Sequence, residues 1–334
     1  MAKIITNIPI KPDVLARIQP LPNAEIVLVD PANDGVAPFP ADVIAGAEVL
    51  VCHLPPLNHA EMKDLKLVQI MSAGFNQLAP MKLGARGVRA CNAGGVYNTA
   101  IGEWTIAMMV NLTRDLRGMI RNQDGGVWDR DDRFAAEIRG RTLGLWGYGG
   151  LGREVARLAR VMGVSIHVLA RSPIGRRDDT YAVPGTGDPD GSLPDRVFGP
   201  DQDLEFLGGI DYLVLAMPLN PANAGRIGER ELRAMKPTAY LLNPARGPLV
   251  NEAALLRALG EGWIAGAALD THFRYPMPPD HPLWRMPNVI MTPHISGSDK
   301  GPHFLDRMGE IVEHNVAAYL AGRTLWNEIP RAEL

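Results

Sequence analysis

The chain has 334 residues, of which 46% are hydrophobic and 21% are charged, and its formal net charge at pH 7 is −3. This length favours two domains with packed cores, and the small net charge argues against a broad electrostatic surface for nucleic acid or anionic membranes. No apolar run reaches the length of a transmembrane helix, and the first residues lack a signal-peptide core. We therefore expect a cytoplasmic protein with no membrane or nucleic-acid partner.

Cysteine and histidine usage argues against disulfide and metal chemistry. Cys52 falls at the end of a predicted strand and Cys91 within one, and two cysteines are too few for a disulfide framework. We expect both to be buried thiols in a reducing compartment. The 8 histidines show no metal-ligand spacing with cysteine or with one another, so we expect no metal site.

Short apolar strands alternate with polar or proline-rich connections over the first hundred residues, which predicts a parallel sheet. The predicted strands cover residues 3–7, 25–30, 48–53, 67–71 and 88–91, and weak helices cover 12–18 and 60–65. A long helix is predicted over 99–116, with Asn98 or Thr99 as its N-cap and Glu103 in its first turns.

Residues 140–172 contain the strongest local pattern, which is a strand, a glycine turn, a helix and a second strand. The pattern predicts strands over 142–146 and 165–169 and a helix over 153–162. The turn has the spacing GxGxxG and comprises Gly147, Gly149, Gly150, Leu151 and Gly152. Its glycines allow the tight bend, the approach of a pyrophosphate and the packing of helix on strand. The following helix directs its positive end at the phosphates, so we predict a dinucleotide-binding unit.

The second strand of this unit ends in Ala170, Arg171 and Ser172. NAD-binding units usually place a carboxylate here to hold the ribose hydroxyls, whereas a cation and a hydroxyl suit the 2′-phosphate of NADP. The pattern favours NADP over NAD. NAD stays open, because Arg171 could also be an ordinary solvated cation.

The remaining elements complete a doubly wound α/β sheet of six or seven strands around the glycine turn. The N-terminal strands need a second sheet, onto which the closing helix packs. We therefore predict a discontinuous substrate domain, 1–98 with 298–334, and a dinucleotide-binding domain, 99–297. The further predicted strands cover 211–217, 239–243, 265–270 and 289–292, and the further helices cover 229–235, 252–260 and 303–321.

One segment, 178–205, is too long for an ordinary connection between a strand and a helix, which runs to about two to six residues. It is rich in Gly, Pro and Asp. Two interpretations stay open at this point. It is either a disordered surface insertion or a flap over the adenosine end of the cofactor.

Three polar residues follow apolar strands of the predicted sheet, where open α/β sheets bind their ligands. Arg246 can grip a carboxylate with two hydrogen bonds and polarise a neighbouring carbonyl. His294, in Thr292-Pro293-His294, can exchange a proton with an alcohol oxygen near neutral pH. Asp270 ends the third strand. Together these residues predict an active site at the carboxyl edge of the sheet.

These motifs resemble the D-isomer-specific 2-hydroxyacid dehydrogenase family, over nearly the whole chain, and its glyoxylate/hydroxypyruvate reductase branch in particular. The resemblance implies a Rossmann domain joined to a flavodoxin-like substrate domain. It assigns Arg246 to the substrate carboxylate and carbonyl, His294 to general acid/base catalysis and Asp270 to the nicotinamide amide. Pro218 matches a position beside the cofactor.

The resemblance has further implications outside the dinucleotide-binding unit. The backbone N–H groups of a turn comprising Ala73, Gly74 and Phe75 would bind the substrate carboxylate. Gly102-Glu103-Trp104 resembles the signature of the helix that links the domains. Family members are usually homodimers. The polar arm 121–138, centred on Trp128, is either the element that contacts the second copy or an ordinary exposed loop, and both interpretations stay open.

The chain departs from the family at Tyr275, where a glutamate usually hydrogen-bonds the catalytic histidine. A phenol can orient the imidazole of His294 by a hydrogen bond but cannot stabilise its charged form, so we expect His294 to have a lower pKa than usual. The departure leaves two alternatives to 2-oxo acid reduction: a branch with altered chemistry and little turnover, or a sensor of nicotinamide nucleotides. His272, where relatives often have Phe, is expected to be solvated or half-buried.

Overall fold

The structure is a computed structural model that describes residues 1–30, 32 and 35–334. Within these residues the chain forms twelve β-strands and ten α-helices, with short 3-10 helices between them. The strands are β1 (Ala2–Thr6), β2 (Ala24–Leu28), β3 (Ala47–Cys52), β4 (Leu67–Ile70), β5 (Arg89–Cys91), β6 (Thr142–Trp146), β7 (Ser165–Leu169), β8 (Arg196–Phe198), β9 (Tyr212–Leu215), β10 (Tyr240–Asn243), β11 (Gly266–Leu269) and β12 (Val289–Met291).

In the same described ranges, no helix is both long enough and apolar enough to cross a membrane. The α-helices are α1 (Pro12–Ile18), α2 (Ala41–Ile44), α3 (Leu83–Arg86), α4 (Asn98–Thr113), α5 (Leu116–Asp124), α6 (Gly150–Val161), α7 (Asp203–Gly208), α8 (Glu229–Ala234), α9 (Glu252–Gly260) and α10 (Phe304–Leu320). The 3-10 helices are His59–Glu61, Asn76–Met81, Asp132–Ala135, Gly247–Leu249, Pro282–Trp284 and Arg331–Glu333.

The chain divides into two compact units that interleave along the sequence. The first unit contains residues 1–97, 177–184 and 298–334, and the second contains 98–176 and 185–297. The chain therefore passes from one unit to the other at four points. The short segment 177–184, which belongs to the first unit, was not anticipated by the sequence.

The first unit is built on a five-stranded sheet in the order β2-β1-β3-β4-β5, and every pair of neighbouring strands is parallel. This is the strand order of flavodoxin-like domains. All four residues of β4 are buried, as expected for a central strand covered on both faces. The closing helix α10 packs against α1 within this unit. Cys52 and Cys91 are buried in its core as predicted, and burial raises the pKa of Cys91 to about 12.

The second unit is built on a seven-stranded parallel sheet in the order β12-β11-β10-β9-β6-β7-β8. The strand order reverses at β6, so the ends of β6 and β9 meet at the switch point where doubly wound sheets bind ligands. The strands β9 and β11 are buried along their whole length. The predicted α/β class, with a doubly wound dinucleotide-binding sheet and a second parallel sheet, is confirmed.

Two helix predictions were wrong in detail. The helix predicted over 99–116 is two helices, α4 and α5, because Asp115 adopts a left-handed conformation with φ 44°. Its carboxylate then accepts a hydrogen bond from the N–H of Gly118 at 3.0 Å and caps α5. The helix predicted over 60–65 is only the 3-10 turn His59–Glu61. Beyond α5, Trp128 is 91% exposed, and its contact with a second copy stays a prediction.

The long insertion is structured, so the interpretation of 178–205 as a disordered segment is wrong for the conformation described here. It contains β8, which extends the second unit's sheet beyond β7, and α7 begins within it. Tyr181 and Asp188 are both buried. The polar composition of the segment did not predict an ordered structure, because its buried groups are stabilised by hydrogen bonds to residues far away in the sequence. The flap interpretation stays a hypothesis.

Candidate active site

The glycine turn lies at the carboxyl end of β6 and can be formed only by glycine at two positions. Gly147 has φ 101°, and a Cβ there would lie 2.8 Å from the carbonyl oxygen of Ala216. A Cβ on Gly152 would lie 2.6 Å from the carbonyl oxygen of Gly147. The helix α6 begins within the turn, so its first N–H groups lie beside this bare backbone. A cradle of this kind fits the pyrophosphate of a dinucleotide.

The other predicted members of the turn lie at the same edge. Gly149 is the extended N-cap of α6, and a Cβ on Gly150 would lie 2.4 Å from Nδ2 of Asn98. Leu151 is half-buried in the first turn of the helix. Pro218 is exposed shortly after β9, the strand beside β6. These residues lie at the edge of the sheet where the cofactor site was predicted.

Arg171 and Ser172 follow β7 and are both exposed. No hydrogen bond or ion pair joins Arg171 to any other residue that the structure describes. Arg176, five residues further on, already pairs with Asp190 at 2.9 Å. The guanidinium of Arg171 is therefore available to an anionic ligand at the end of β7.

Asn243, at the end of β10, fixes the backbone around Arg246. Its Oδ1 accepts hydrogen bonds from the N–H groups of Ala245 at 3.1 Å and Arg246 at 3.2 Å, and its Nδ2 donates to the Arg246 carbonyl at 2.8 Å. The half-buried guanidinium of Arg246 donates once within the described chain, to the Ala245 carbonyl at 2.7 Å. Its remaining N–H groups can therefore serve a carboxylate ligand.

Asp270 lies directly after β11, is fully buried, and uses its carboxylate to hold the loop that carries His294. Its Oδ1 accepts from Thr292 Oγ1 at 2.5 Å and from the Ile295 N–H at 2.9 Å. Its Oδ2 accepts from the N–H of Ser296 at 3.0 Å and from its Oγ at 2.5 Å. Four donors fill the acceptor positions of both oxygens. The predicted contact of Asp270 with a nicotinamide amide stays a prediction.

His294 follows β12 in a conformation that few side chains adopt. Its φ is 55°, and its N–H donates to the carbonyls of Asp270 at 2.8 Å and Thr292 at 3.0 Å. A left-handed backbone at a non-glycine residue is unfavourable unless its surroundings hold it in place. The four hydrogen bonds to the Asp270 carboxylate come from Thr292, before His294, and from Ile295 and Ser296, after it. They hold the loop on both sides of His294, whose side chain is exposed at the edge of the sheet.

The electrostatic environment lowers the pKa of His294. Partial desolvation is the main cause, and the charge of Arg246 and the neighbouring His272 lower the pKa further. The Asp270 carboxylate opposes them and raises it. The pKa of His294 is therefore lowered from its ordinary value, and desolvation is the largest cause. The expected difference from relatives that carry glutamate at this position stays a prediction.

Tyr275 contacts His294 differently from the prediction. The two rings lie side by side in a tilted arrangement, with centroids 5.5 Å apart and an angle of 49° between planes. Among the described residues no hydrogen bond joins them, and the Tyr275 hydroxyl instead accepts from the N–H of His272 at 3.1 Å. The predicted orienting hydrogen bond is therefore wrong for this conformation, because a phenol held against the His272 backbone meets the imidazole with its ring. Burial raises the pKa of Tyr275.

His272 is buried rather than solvated or half-buried, which corrects the prediction for this residue. One ring nitrogen, Nε2, lies 2.8 Å from the Thr292 carbonyl, two residues before His294. Its backbone also packs tightly on Gly247, where a Cβ would lie 2.2 Å from the His272 carbonyl oxygen. His272 and Asn243 are supporting residues that the sequence reasoning missed. The sequence held a signal for Asn243, because an asparagine precedes Arg246 by three residues, at the end of the predicted strand.

The turn 72–75 belongs to the first unit. Ser72 Oγ donates to the Gly74 carbonyl at 2.7 Å, and Asn92 Nδ2 donates to the Ala73 carbonyl at 3.0 Å. The backbone N–H groups of Ala73, Gly74 and Phe75 have no acceptor within the described chain. A turn held by its carbonyls with its N–H groups unused is suited to binding an anion.

Residues 106–296 match the family model described as D-isomer specific 2-hydroxyacid dehydrogenase, NAD binding domain. A glyoxylate reductase from Thermofilum pendens is 34% identical over 288 residues, which are 84% of this chain and 80% of that protein. A glycerate dehydrogenase from Methylorubrum extorquens is 28% identical over 84% of this chain and 85% of that protein.

A solved structure shows the same fold. It is an NADPH-dependent glyoxylate/hydroxypyruvate reductase from Sinorhizobium meliloti in complex with NADP and malonate, with 25% sequence identity and a TM-score of 0.71. The alignment covers 99% of this chain and 97% of that chain. The similarity therefore extends over both units of the fold.

The hydrogen bonds of Asp270 predict the effect of replacing it with asparagine. Asp270→Asn removes the charge that raises the pKa of His294, so this pKa should fall further. It also gives up acceptor positions in a buried site, so the free energy of unfolding should fall by about 1–3 kcal/mol. An NMR titration of the His294 ring, assigned with His294→Gln, measures the pKa.

Thr292→Val is the matched control, because it removes one hydrogen bond to Asp270 but keeps the charge. Its His294 pKa should stay closer to that of the unsubstituted protein. An unchanged or higher His294 pKa in Asp270→Asn would contradict the assigned role of this carboxylate.

Proposed function

Because this chain belongs to the D-isomer-specific 2-hydroxyacid dehydrogenase family, we propose that it transfers hydride between NADP(H) and a small 2-hydroxy or 2-oxo acid. The observation that carries this proposal is the placement of Arg246 and His294 at one edge of the dinucleotide-binding sheet, close enough for the guanidinium to affect the pKa of the imidazole. Glyoxylate and hydroxypyruvate are the proposed substrates, in line with the names of its relatives.

Arg246 binds the substrate carboxylate in this proposal. Its unused N–H groups can form two parallel hydrogen bonds to a carboxylate and polarise the adjacent carbonyl oxygen. Asn243 holds the Arg246 backbone, so the guanidinium needs little reorganisation on binding. The turn of the first unit with the unused N–H groups of Ala73, Gly74 and Phe75 keeps its expected role in carboxylate binding as a separate proposal.

His294 exchanges the proton in this proposal. A bound nicotinamide cofactor supplies the hydride for reduction and accepts it in oxidation. During reduction, the protonated imidazole donates to the developing alkoxide, and during oxidation the neutral imidazole removes the hydroxyl proton. Asp270 and His272 hold the His294 loop, and the Tyr275 ring restricts rotation of the imidazole.

Cofactor choice is proposed to depend on Arg171. Its exposed, unpaired guanidinium follows β7, the strand whose end faces the adenosine ribose in dinucleotide-binding folds, where a 2′-phosphate needs a cation. Ser172 can add a hydroxyl donor to the same phosphate.

Arg246→Lys tests the proposed substrate contact, because lysine keeps the charge but cannot form bidentate hydrogen bonds to a carboxylate. The kcat/KM for 2-oxo acids should fall roughly a hundredfold. The dissociation constant for NADPH, measured by fluorescence titration, should not change. A kcat/KM equal to that of the unsubstituted enzyme would refute the assignment of Arg246.

Arg171→Ala tests the cofactor proposal. The dissociation constant for NADPH should rise about ten- to a hundredfold, since a charge-assisted phosphate contact is lost, while that for NADH should change little. Arg176→Ala is the matched control, because its guanidinium already pairs with Asp190. Equal effects of Arg171→Ala on both cofactors would rule out a role in recognising the 2′-phosphate.

Tyr275→Glu tests the origin of the pH dependence. Reduction requires protonated His294, so its rate should fall as the pH rises through the lowered pKa of His294. A carboxylate at position 275 stabilises the protonated imidazole and should move this limb of the pH–rate profile upward by about one to three pH units. Tyr275→Gln, which adds no charge, should leave the limb near its original place. An unmoved profile in Tyr275→Glu would show that residue 275 does not face the proton-transferring group.

A further inference from the structure

The insertion packs directly on the glycine turn of the second unit. Three residues make these contacts: Tyr148 lies inside the turn, and Arg153 and Glu154 follow it in α6. All three are buried, although two of them carry charge. Buried charged groups are costly unless they are fully paired. The partners of these residues therefore show how this part of the insertion is joined to the turn.

Asp188 is the centre of the contact and is only 5% exposed. Its Oδ2 accepts from the Tyr148 hydroxyl at 2.6 Å and from the N–H of Leu193 at 3.0 Å. Its Oδ1 accepts from the N–H of Ser192 at 3.0 Å. Burial alone would raise the pKa of Asp188, but these bonds and the charge of Arg153 outweigh it and hold the pKa below its usual range. The carboxylate therefore stays charged beside the turn.

Arg153 connects the insertion to the backbone of the turn. Its guanidinium donates to the carbonyls of Gly175 at 2.7 Å and Pro189 at 3.3 Å, and also to that of Asp188. Its Nε donates to the carbonyl of Tyr148, inside the turn, at 3.3 Å. One buried cation thus bonds both the insertion and the turn.

Glu154 supplies a third connection. Its carboxylate accepts from the N–H of Gly187 at 2.6 Å, while it also pairs with Arg157 at 2.7 Å. Two successive residues in the N-terminal half of α6, Arg153 and Glu154, thereby form hydrogen bonds with the insertion. Residues 187–193 form a fixed block against the turn rather than a free loop.

The turn has a particular need for such support. Four of its six residues, from Gly147 to Gly152, are glycine. Glycine loses more conformational freedom on ordering than any other residue, so a turn with four of them is poorly organised by its own sequence. External hydrogen bonds reduce the number of conformations that the turn can adopt before a ligand binds.

We propose that the insertion positions the cofactor site: Asp188 and Arg153, acting through the side chain and carbonyl of Tyr148, hold the glycine turn in the conformation that receives the dinucleotide pyrophosphate. These residues are positioning residues, and none of them is required to touch the cofactor. The inference rests on cofactor binding as proposed above but not on the identity of the substrate. Direct binding measurements therefore test it even if no 2-oxo acid is turned over.

The test uses Tyr148→Phe, which removes only the hydroxyl, and Asp188→Asn. The dissociation constants for NADPH, NADH and ADP-ribose should all rise about tenfold, because the three ligands share the pyrophosphate. The effects of the two changes on the dissociation constants should be less than additive in the double variant, since both act on the contact between Tyr148 and Asp188.

Tyr181→Phe is the matched control. It removes a buried hydroxyl from the same insertion, and this hydroxyl donates a hydrogen bond to Glu310 at 2.6 Å. The segment that carries Tyr181, however, belongs to the first unit. This variant should bind all three ligands normally even where its Tm falls. If Asp188→Asn does not fold, Tyr148→Phe still decides the question.

Two results would overturn the proposal. Unchanged dissociation constants in Tyr148→Phe, with a fall in Tm like that of Tyr181→Phe, would mean that the contact only stabilises the fold. Weaker binding of NADPH alone would mean that the insertion contacts the 2′-phosphate instead of organising the turn.

Discussion

The buried carboxylate of Asp270 holds together the part of the molecule on which the proposed chemistry depends. Its four hydrogen bonds join the end of β11 to the loop after β12 and keep His294 in a left-handed backbone conformation. The same strand edge carries Arg246, whose backbone is held by Asn243. Because the strands are parallel, residues distant in sequence meet at one edge, and short-range hydrogen bonds then set their orientation.

Tyr275 stands where the family usually has a glutamate, and it places a ring rather than a carboxylate beside His294. Partial desolvation of the imidazole and the charge of Arg246 lower the pKa of His294. The neutral form is the one that accepts a proton from a hydroxyl group. In the proposed mechanism, the lowered pKa of His294 favours removal of a hydroxyl proton at neutral pH, and reduction should be faster under more acidic conditions.

Much of the fold was predictable because apolar runs bounded by glycine and proline define buried parallel strands. The strand Thr142–Trp146 and the helix Glu252–Gly260 have the predicted bounds, and Arg246 and His294 follow strands as predicted. The supporting contacts were not predictable. The bond from Tyr148 to Asp188 spans 40 residues, and whether Tyr275 meets His294 by its hydroxyl or its ring depends on the path of the backbone. Such contacts require knowledge of which distant segments pack together, which local patterns do not contain.

The proposed reduction of 2-oxo acids with a nicotinamide cofactor at this edge of the sheet can be measured in one experiment. Initial rates of NADPH and NADH oxidation are recorded with 2-oxo acids ranging from glyoxylate to phenylpyruvate, and with a ketone that lacks a carboxylate. We expect NADPH-dependent turnover of the smaller 2-oxo acids and none of the simple ketone. Tight binding of both cofactors without turnover of any 2-oxo acid would contradict this proposal and would favour a nucleotide sensor or altered chemistry.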